Sequence, residues 1–217
     1  GAAFERPPLV PSITAKGGAS VGWSEGQSAF LWNPAGEIST HASFLTAYSR
    51  PYGVDDLDEG ILSYSHTVAN SGCLGLNWQR LRTTGYYEDR RAVAISYGNQ
   101  IARAGVRLDR LGIGIDGFGN RSAFGVSVGG LWKATEGLQL GLAVDALNRP
   151  RIPHPLPRGF ALGVGLRVSP GLLLVMDVRK ESDVKAQILA GGELPVGHHF
   201  VLRAGMHNQP WEVTAGW

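Results

Sequence analysis

The sequence predicts an all-β fold: an antiparallel transmembrane β-barrel of about twelve strands, preceded by a segment that is not part of the wall. Three observations lead there. From position 41 onward, stretches of ~9–14 residues alternate apolar with small or polar residues, the period of a strand with two unlike faces. Glycine supplies 31 of 217 residues and falls mainly on the non-apolar parity. The connections between stretches alternate between short and long, as periplasmic turns and external loops do.

Composition removes the main rivals. Hydrophobic residues make up 43% of the chain and charged residues 18%. That apolar content argues against disorder. The net charge is +2 and the basic residues are spread along the chain, so there is no nucleic-acid footprint. Cys73 is the only cysteine, which excludes a disulfide scaffold. The longest apolar run, Leu172 to Met176, is far below the ~18 residues of a spanning helix. The mean hydropathy of −0.04 is compatible with a barrel, whose signal is alternation. Gly1-Ala2-Ala3-Phe4 fits a mature N-terminus after removal of a leader.

The strands follow in order. Leu74, Leu76 and Trp78 alternate with Gly75, Asn77 and Gln79. Val93, Ile95 and Tyr97 alternate with Ala92, Ala94 and Ser96. Phe124, Val126, Val128 and Trp132 alternate with Gly125, Ser127, Gly129 and Lys133. Leu138, Leu140, Leu142 and Val144 alternate with Gln139, Gly141, Ala143 and Asp145. The same pattern runs through 160–168, 200–205 and 211–217. Leu74, Leu76, Trp78, Leu162, Val164 and Leu166 are expected to face lipid. Tyr48, Tyr64, Trp78, Tyr97, Trp132, Trp211 and Trp217 lie toward strand ends, where aromatic girdles form. The expected short turns are Ala69–Gly72, Ala134–Gly137, Ser169–Gly171 and Pro195–Gly197; the expected long loops are Arg50–Asp58, Thr83–Arg90 and Asn148–Arg158. The first strand is expected to start near Thr40, on the periplasmic side.

The fifth strand breaks the pattern. Val106 and Leu108 have one parity, while Leu111, Ile113 and Ile115 have the other. A one-residue slip reverses both faces. Keeping both sets in lipid calls for a bulge near Asp109-Arg110, which makes this strand the expected place for a lateral opening.

Residues 1–40 differ in character from the rest. Phe4, Val10, Ile13, Val21, Trp23, Phe30 and Trp32 are too apolar to float in water, since each buried large side chain is worth about 1.5–3 kcal/mol. Pro7, Pro8, Pro11 and the glycines at 17, 18, 22 and 26 oppose another strand. The segment is therefore expected to plug the lumen, where glycine, alanine and serine leave room. Ser24 and Gln27 fit a capping box, and a short helix is expected over Ser24–Trp32. Pro34 ends it. Asn33-Pro34-Ala35-Gly36 then turns the chain into the first strand, with Asn33 bonding nearby backbone.

Gly17-Gly18-Ala19, Ser28-Ala29 and the intact Asn33-Pro34-Ala35-Gly36 resemble the N-terminal signature of the PorV/PorQ-like outer-membrane proteins, within the FadL-type barrel group. Leu138–Pro150 and Leu202-Arg203-Ala204-Gly205 are similar to later stretches of that family. The chain departs from it at Glu25 and Gln27, which stand near positions often held by an Asp pair. The resemblance implies a fourteen-stranded barrel of the bacterial outer membrane with its N-terminal segment in the lumen, and no enzyme. Two strands would then follow Trp217; the rival is a twelve-stranded barrel ending there. PorV-type members are adaptors in secretion, notably type IX, and in surface attachment, which implies a protein partner besides outer-membrane lipid. FadL-type members take up hydrophobic molecules through a lateral opening. The adaptor is the first reading and the hydrophobic transporter the alternative.

No catalytic, cofactor or metal site is expected. Gly112, Gly114 and Gly117 match a dinucleotide fingerprint in spacing, but another alternating strand follows instead of a helix. His198, His199 and His207 lack partners at ligand spacing. No Ser/His/Asp arrangement is supported by spacing. Cys73 reads as a small structural residue. The charges of lumenal parity include Arg107, Asp109, Asp145, Arg167, Asp177, Arg203 and Glu212. Their mixed signs point to a structural network inside the barrel, because buried charges pair.

Overall fold

The computed structural model describes residues 4, 10–24, 26, 29–36, 42–68, 71–152, 154–182, 184–197, 199–208 and 211–217. Twelve strands form one sheet in which every neighbouring pair is antiparallel. They are β1 (Ser43–Ser49), β2 (Asp58–Val68), β3 (Gly72–Thr83), β4 (Tyr86–Gly98), β5 (Ala102–Ile115), β6 (Gly119–Lys133), β7 (Leu138–Asp145), β10 (Gly159–Arg167), β11 (Leu173–Glu181), β12 (Gln187–Val196), β13 (Phe200–His207) and β14 (Glu212–Gly216). Two-residue strands β8 (Arg151–Ile152) and β9 (His154–Pro155) pair with each other in the loop between β7 and β10. Among the described residues no ladder joins β1 to β14.

The alternation fixes which face is which. One cross-strand row runs Tyr64, Leu76, Val93, Leu108 and Val126 through β2 to β6. Another runs Leu142, Leu162, Val178 and Ile188 through β7 to β12. All but Val126, which is half-buried, are exposed. An apolar belt this continuous far exceeds the few hundred Å² that soluble monomers leave uncovered, and it is the surface a bilayer solvates. Of the six positions expected to face lipid, Leu76, Trp78, Leu162 and Leu166 are exposed, and Leu74 and Val164 are half-buried on the same face.

The opposite face carries Ser63, Ser65, Asn77, Ala92, Ala94, Ser96, Arg107, Asp109, Ser127, Ala143 and Asp177, all buried. They are covered by the N-terminal segment. Helix α1 (Pro11–Thr14) begins with Pro at its first position, where no N–H is needed. Helix α2 (Ala29–Trp32) buries all four residues.

Three expectations need correcting. Strand β5 has no bulge: Leu108, Asp109, Arg110 and Leu111 pair in unbroken succession with Val93, Ala92, Arg91 and Arg90. Leu111 and Ile113 instead face inward, buried against Ile152 of the long loop, so the change of parity marks an apolar inner patch. That removes β5 as a lateral opening. Thr83–Arg90 is not a long loop, because β3 and β4 continue to a two-residue turn, Thr84-Gly85, where Gly85 takes the left-handed φ of 77°. Of the helix expected over Ser24–Trp32, the described part is α2, with Ser24 and Gly26 outside it; the Ser24 hydroxyl donates to the Ala29 carbonyl at 2.9 Å. Glu25, Gln27, Ser28, Thr40, the Ala69-Asn70 part of a turn and His198 lie outside the described residues.

Candidate functional site: the inner face of the sheet

The inner face is shaped by glycines set opposite one another. Gly105 pairs with Gly129, Gly141 with Gly163, and Gly191 with Gly205. At each of these positions a Cβ would collide with the N-terminal segment: Pro34 at Gly105, Asn33 at Gly129, Val21 at Gly141, Gly22 at Gly163, Lys16 at Gly191 and Gly17 at Gly205. Phe30 presses on Gly75, Trp23 on Gly165 and Ala15 on Gly216 in the same way. Leu45 and Ala47 of β1, Ile61 of β2 and Ala94 of β4 pack in one cluster with Val10, Ile13, Phe30, Leu31 and Trp32. A single stretch of chain thus touches strands from β1 to β14.

Polar groups fasten it. The Asn33 side chain accepts the Ala35 N–H at 3.0 Å and donates to the carbonyls of Val21 and Gly130, both at 3.1 Å. The Gly36 N–H donates to the Asn33 carbonyl at 2.7 Å, closing the turn through Pro34 and Ala35. Ala35 is fully buried, and a Cβ on Gly36 would meet Ala29 at 2.6 Å. Asp177 accepts three backbone N–H groups, from Ser20 at 2.6 Å, Val21 at 2.8 Å and Gly22 at 3.2 Å.

The charged residues of lumenal parity divide into separate groups. Arg107 is fully buried. It contacts Asp109 at 3.1 Å and Asp145 at 2.9 Å, and donates to the carbonyls of Phe30 at 3.1 Å and Leu31 at 2.6 Å and to the Ser127 hydroxyl at 3.2 Å. Arg90 completes this group at 2.8 Å from Asp109. Arg203 pairs with Glu193 at 2.8 Å, and Glu212 lies 3.4 Å from His207. Arg167 stacks over the Trp23 ring at 4.9 Å. Arg107, Asp109 and Asp145 therefore come together, while Arg167, Asp177, Arg203 and Glu212 each act locally. Arg90 was hidden by the expected loop; continuing the parity of Ala94 and Ala92 two residues back finds it.

Near the long-loop end, Leu111, Ile113 and Ile152 are buried together, with Phe4, Tyr86, Ala123 and Leu156 packed on them. The Phe4 N–H donates to Glu88 at 2.7 Å, and Tyr86 donates to the other oxygen of Glu88 at 2.6 Å. This apolar patch is separate from the inward Ile61, Leu173, Val175 and Leu189, which pack on the N-terminal segment. Cys73 is buried, and its sulfur accepts from Arg103 at 3.2 Å. Among the described residues no group of three or more His, Cys, Asp or Glu side chains is placed to hold a metal ion.

No protein-family model and no curated protein sequence matches the chain. Solved structures do. The CymD monoaromatic hydrocarbon channel superposes with a TM-score of 0.72 at 13% identity, over 92% of this chain and 83% of that one. The KdgM porin superposes at a TM-score of 0.48 and 9% identity, over 79% of this chain and 91% of that one, too distant to add to the comparison. The continuous antiparallel sheet with its apolar outer face and the likeness to CymD together show that the chain shares the fold of that channel.

Proposed function

We propose that the chain is an outer-membrane passage for small hydrophobic molecules, in which residues 41–217 form the wall and residues 1–40 a plug inside it. The observation that carries this reading is the inward apolar patch of Leu111, Ile113 and Ile152 beneath the long loop, with Phe4 and Tyr86 at its edge. The loop covers this patch, and an apolar molecule that displaces the Ile152 side chain gains about 25 cal/mol for each Å² it buries there. CymD, which shares the fold, is a channel for monoaromatic hydrocarbons, and a single-ring hydrocarbon is the ligand class to try first.

Closure of the wall belongs to the same proposal. Helix α1 packs on β14, the Gly17 N–H donates to the Thr214 hydroxyl at 3.1 Å, and Val10 and Ile13 share a cluster with side chains of β1 and β2. Both free edges thus meet one short stretch of chain, which supports a sheet curled toward closure. Bacterial barrels have even strand numbers, so β1 and β14 join directly or through two more strands, giving twelve or fourteen. The PorV/PorQ-like resemblance favours fourteen. The expected cross-bonding of a cysteine pair placed on β1 and β14 distinguishes the two, since only direct neighbours can bridge.

A second reading is the PorV-like adaptor with a protein partner in a secretion or surface-attachment assembly. The close packing of residues 10–36 along the inner face favours it. Uptake of a labelled monoaromatic hydrocarbon by porin-deficient cells separates the two. Transport predicts faster uptake with the chain and a loss of that gain in Ile113→Asp. Uptake no faster than in cells without the chain would leave the adaptor as the standing reading.

A further inference from the structure

The outer face carries a group of charges that hydrocarbon cannot solvate. Arg80 and Arg82 on β3, Arg91 on β4 and Arg110 on β5 are exposed on the same side as the apolar belt, at the end of the strands nearest the long loops. Register places them together. Trp78, Arg91, Arg110 and Phe124 form one cross-strand row through β3, β4, β5 and β6. In the next row Arg80 stands opposite Asp89, and Asp89 opposite Gly112.

Arg91 and Arg110 are direct partners, an arrangement in which like charges repel. One carboxylate lies among the arginines. Asp89 contacts Arg91 at 3.0 Å and accepts the Trp78 indole N–H at 2.7 Å. Asp58 reaches Arg82 at 3.7 Å and also serves Arg50 at 3.5 Å. Arg80 lies over the Tyr87 ring at 4.8 Å, and the Tyr87 ring covers Gly114, where a Cβ would strike it. Arg110 has no ion pair among the described residues. Of Arg80, Arg91 and Arg110, Arg91 alone has an ion pair among the described residues, with Asp89.

Depth identifies the partner. Trp78 and Phe124 flank the arginines in the same row, and aromatic girdles mark the height of lipid headgroups. The longer loops place this end on the external side. The groups that meet arginine there are headgroup phosphates, which take the guanidinium fork through two parallel hydrogen bonds. We propose that Arg80, Arg91 and Arg110 form a wall site for the phosphates of an outer-leaflet glycolipid of the lipopolysaccharide type. The site lies outside the barrel and holds its lipid whether or not the chain transports anything.

The test uses the full chain in bilayer discs doped with bisphosphorylated lipid A, with bound lipid counted by native mass spectrometry. The chain should retain lipid A, and R80Q/R91Q/R110Q should retain it at least about tenfold more weakly, as expected for lost charge-assisted bonds. R80K/R91K/R110K should recover part of the loss. Arg110→Gln alone, which sacrifices no ion pair, should show the same direction if the triple variant does not fold. Lys180→Gln, on the distant β11, should bind like the parent. Equal retention by the parent and Arg110→Gln would overturn the site. So would equal retention of dephosphorylated lipid A. Complete displacement by inorganic phosphate would assign the arginines to a free anion instead. Hydrocarbon uptake by Arg110→Gln should match the parent, which keeps this test separate from that of transport.

Discussion

The Arg107 guanidinium on β5 donates to the Leu31 carbonyl at 2.6 Å while it contacts Asp145 of β7 at 2.9 Å. Carbonyls at the end of a helix as short as α2 have no partner within the helix. A buried cation supplies one here, and two carboxylates hold that cation. Wall and N-terminal segment therefore share one electrostatic unit.

Breaking that unit from its centre should be costly. Arg107→Met leaves Asp109 and Asp145 without their common partner and should cost about 3–5 kcal/mol of stability. Asp145→Asn, on a half-buried residue with the cation still held by Asp109, should cost less. Urea unfolding in lipid vesicles reads both, and equal losses would contradict the central place of Arg107.

Glycine contacts give a sharper geometric test. Gly141→Ala would put a methyl group into the Val21 carbonyl, and overpacking of this kind costs about 1–3 kcal/mol. Gly60→Ala adds the same methyl where nothing lies within 4 Å and should be nearly neutral. The first variant should also make residues 10–36 more open to protease, while the second should not.

Asn33 acts as donor and acceptor at once. Asn33→Asp removes both donated bonds and brings a second oxygen toward the Val21 and Gly130 carbonyls. It should be more damaging than Asn33→Ala, because a buried charge that keeps only the Ala35 N–H and faces two carbonyl oxygens costs more than lost hydrogen bonds. Thermal unfolding of the two variants at neutral pH gives the order.

Depth in the bilayer should grade substitutions on the belt. Leu162→Arg sits midway along β10 and should cost about 2–4 kcal/mol, whereas Phe200→Arg at the turn end of β13 should cost about 0–1 kcal/mol. Refolding yields in vesicles compare them. Similar costs at both positions would mean that the outer face is not in hydrocarbon.

A plug would have an electrical signature. In planar bilayers the intact chain should pass little steady current, and a chain lacking residues 1–32 should pass more. A large steady current from the intact chain would exclude a lumen filled by its N-terminal segment.

Much of the wall was legible because period two is a local signal: Leu74 to Trp78 or Leu138 to Val144 reads the same in isolation and in the sheet. Strand β5 was misread for a physical reason. Leu111 and Ile113 are apolar because Ile152 comes to cover them, a contact made by a loop that follows two further strands. The turn at Thr84-Gly85 was missed because Tyr86, Tyr87, Glu88 and Asp89 mix faces, Asp89 being turned outward beneath Trp78 and Arg91. Parity put Arg107, Asp109 and Asp177 on the face where they are buried, and Arg167 and Glu212 are exposed. It could not find that Asp177 would hold three backbone N–H groups, since those belong to an irregular segment with no period to read.

The bonds between Gly17 and Thr214, and between Ser20 and Asp177, join residues 197 and 157 positions apart. Contacts of such sequence separation close late, because the intervening loop entropy has to be overcome first. This stretch is made before the strands it packs on and is among the last parts to be locked. Until β11 and β12 are in place, Trp23 remains without a complete seat. Seating of this stretch then reports that the strands it touches, through β14, have been laid down in register, and a slipped wall would leave it open to proteases. The order of assembly doubles as a quality check.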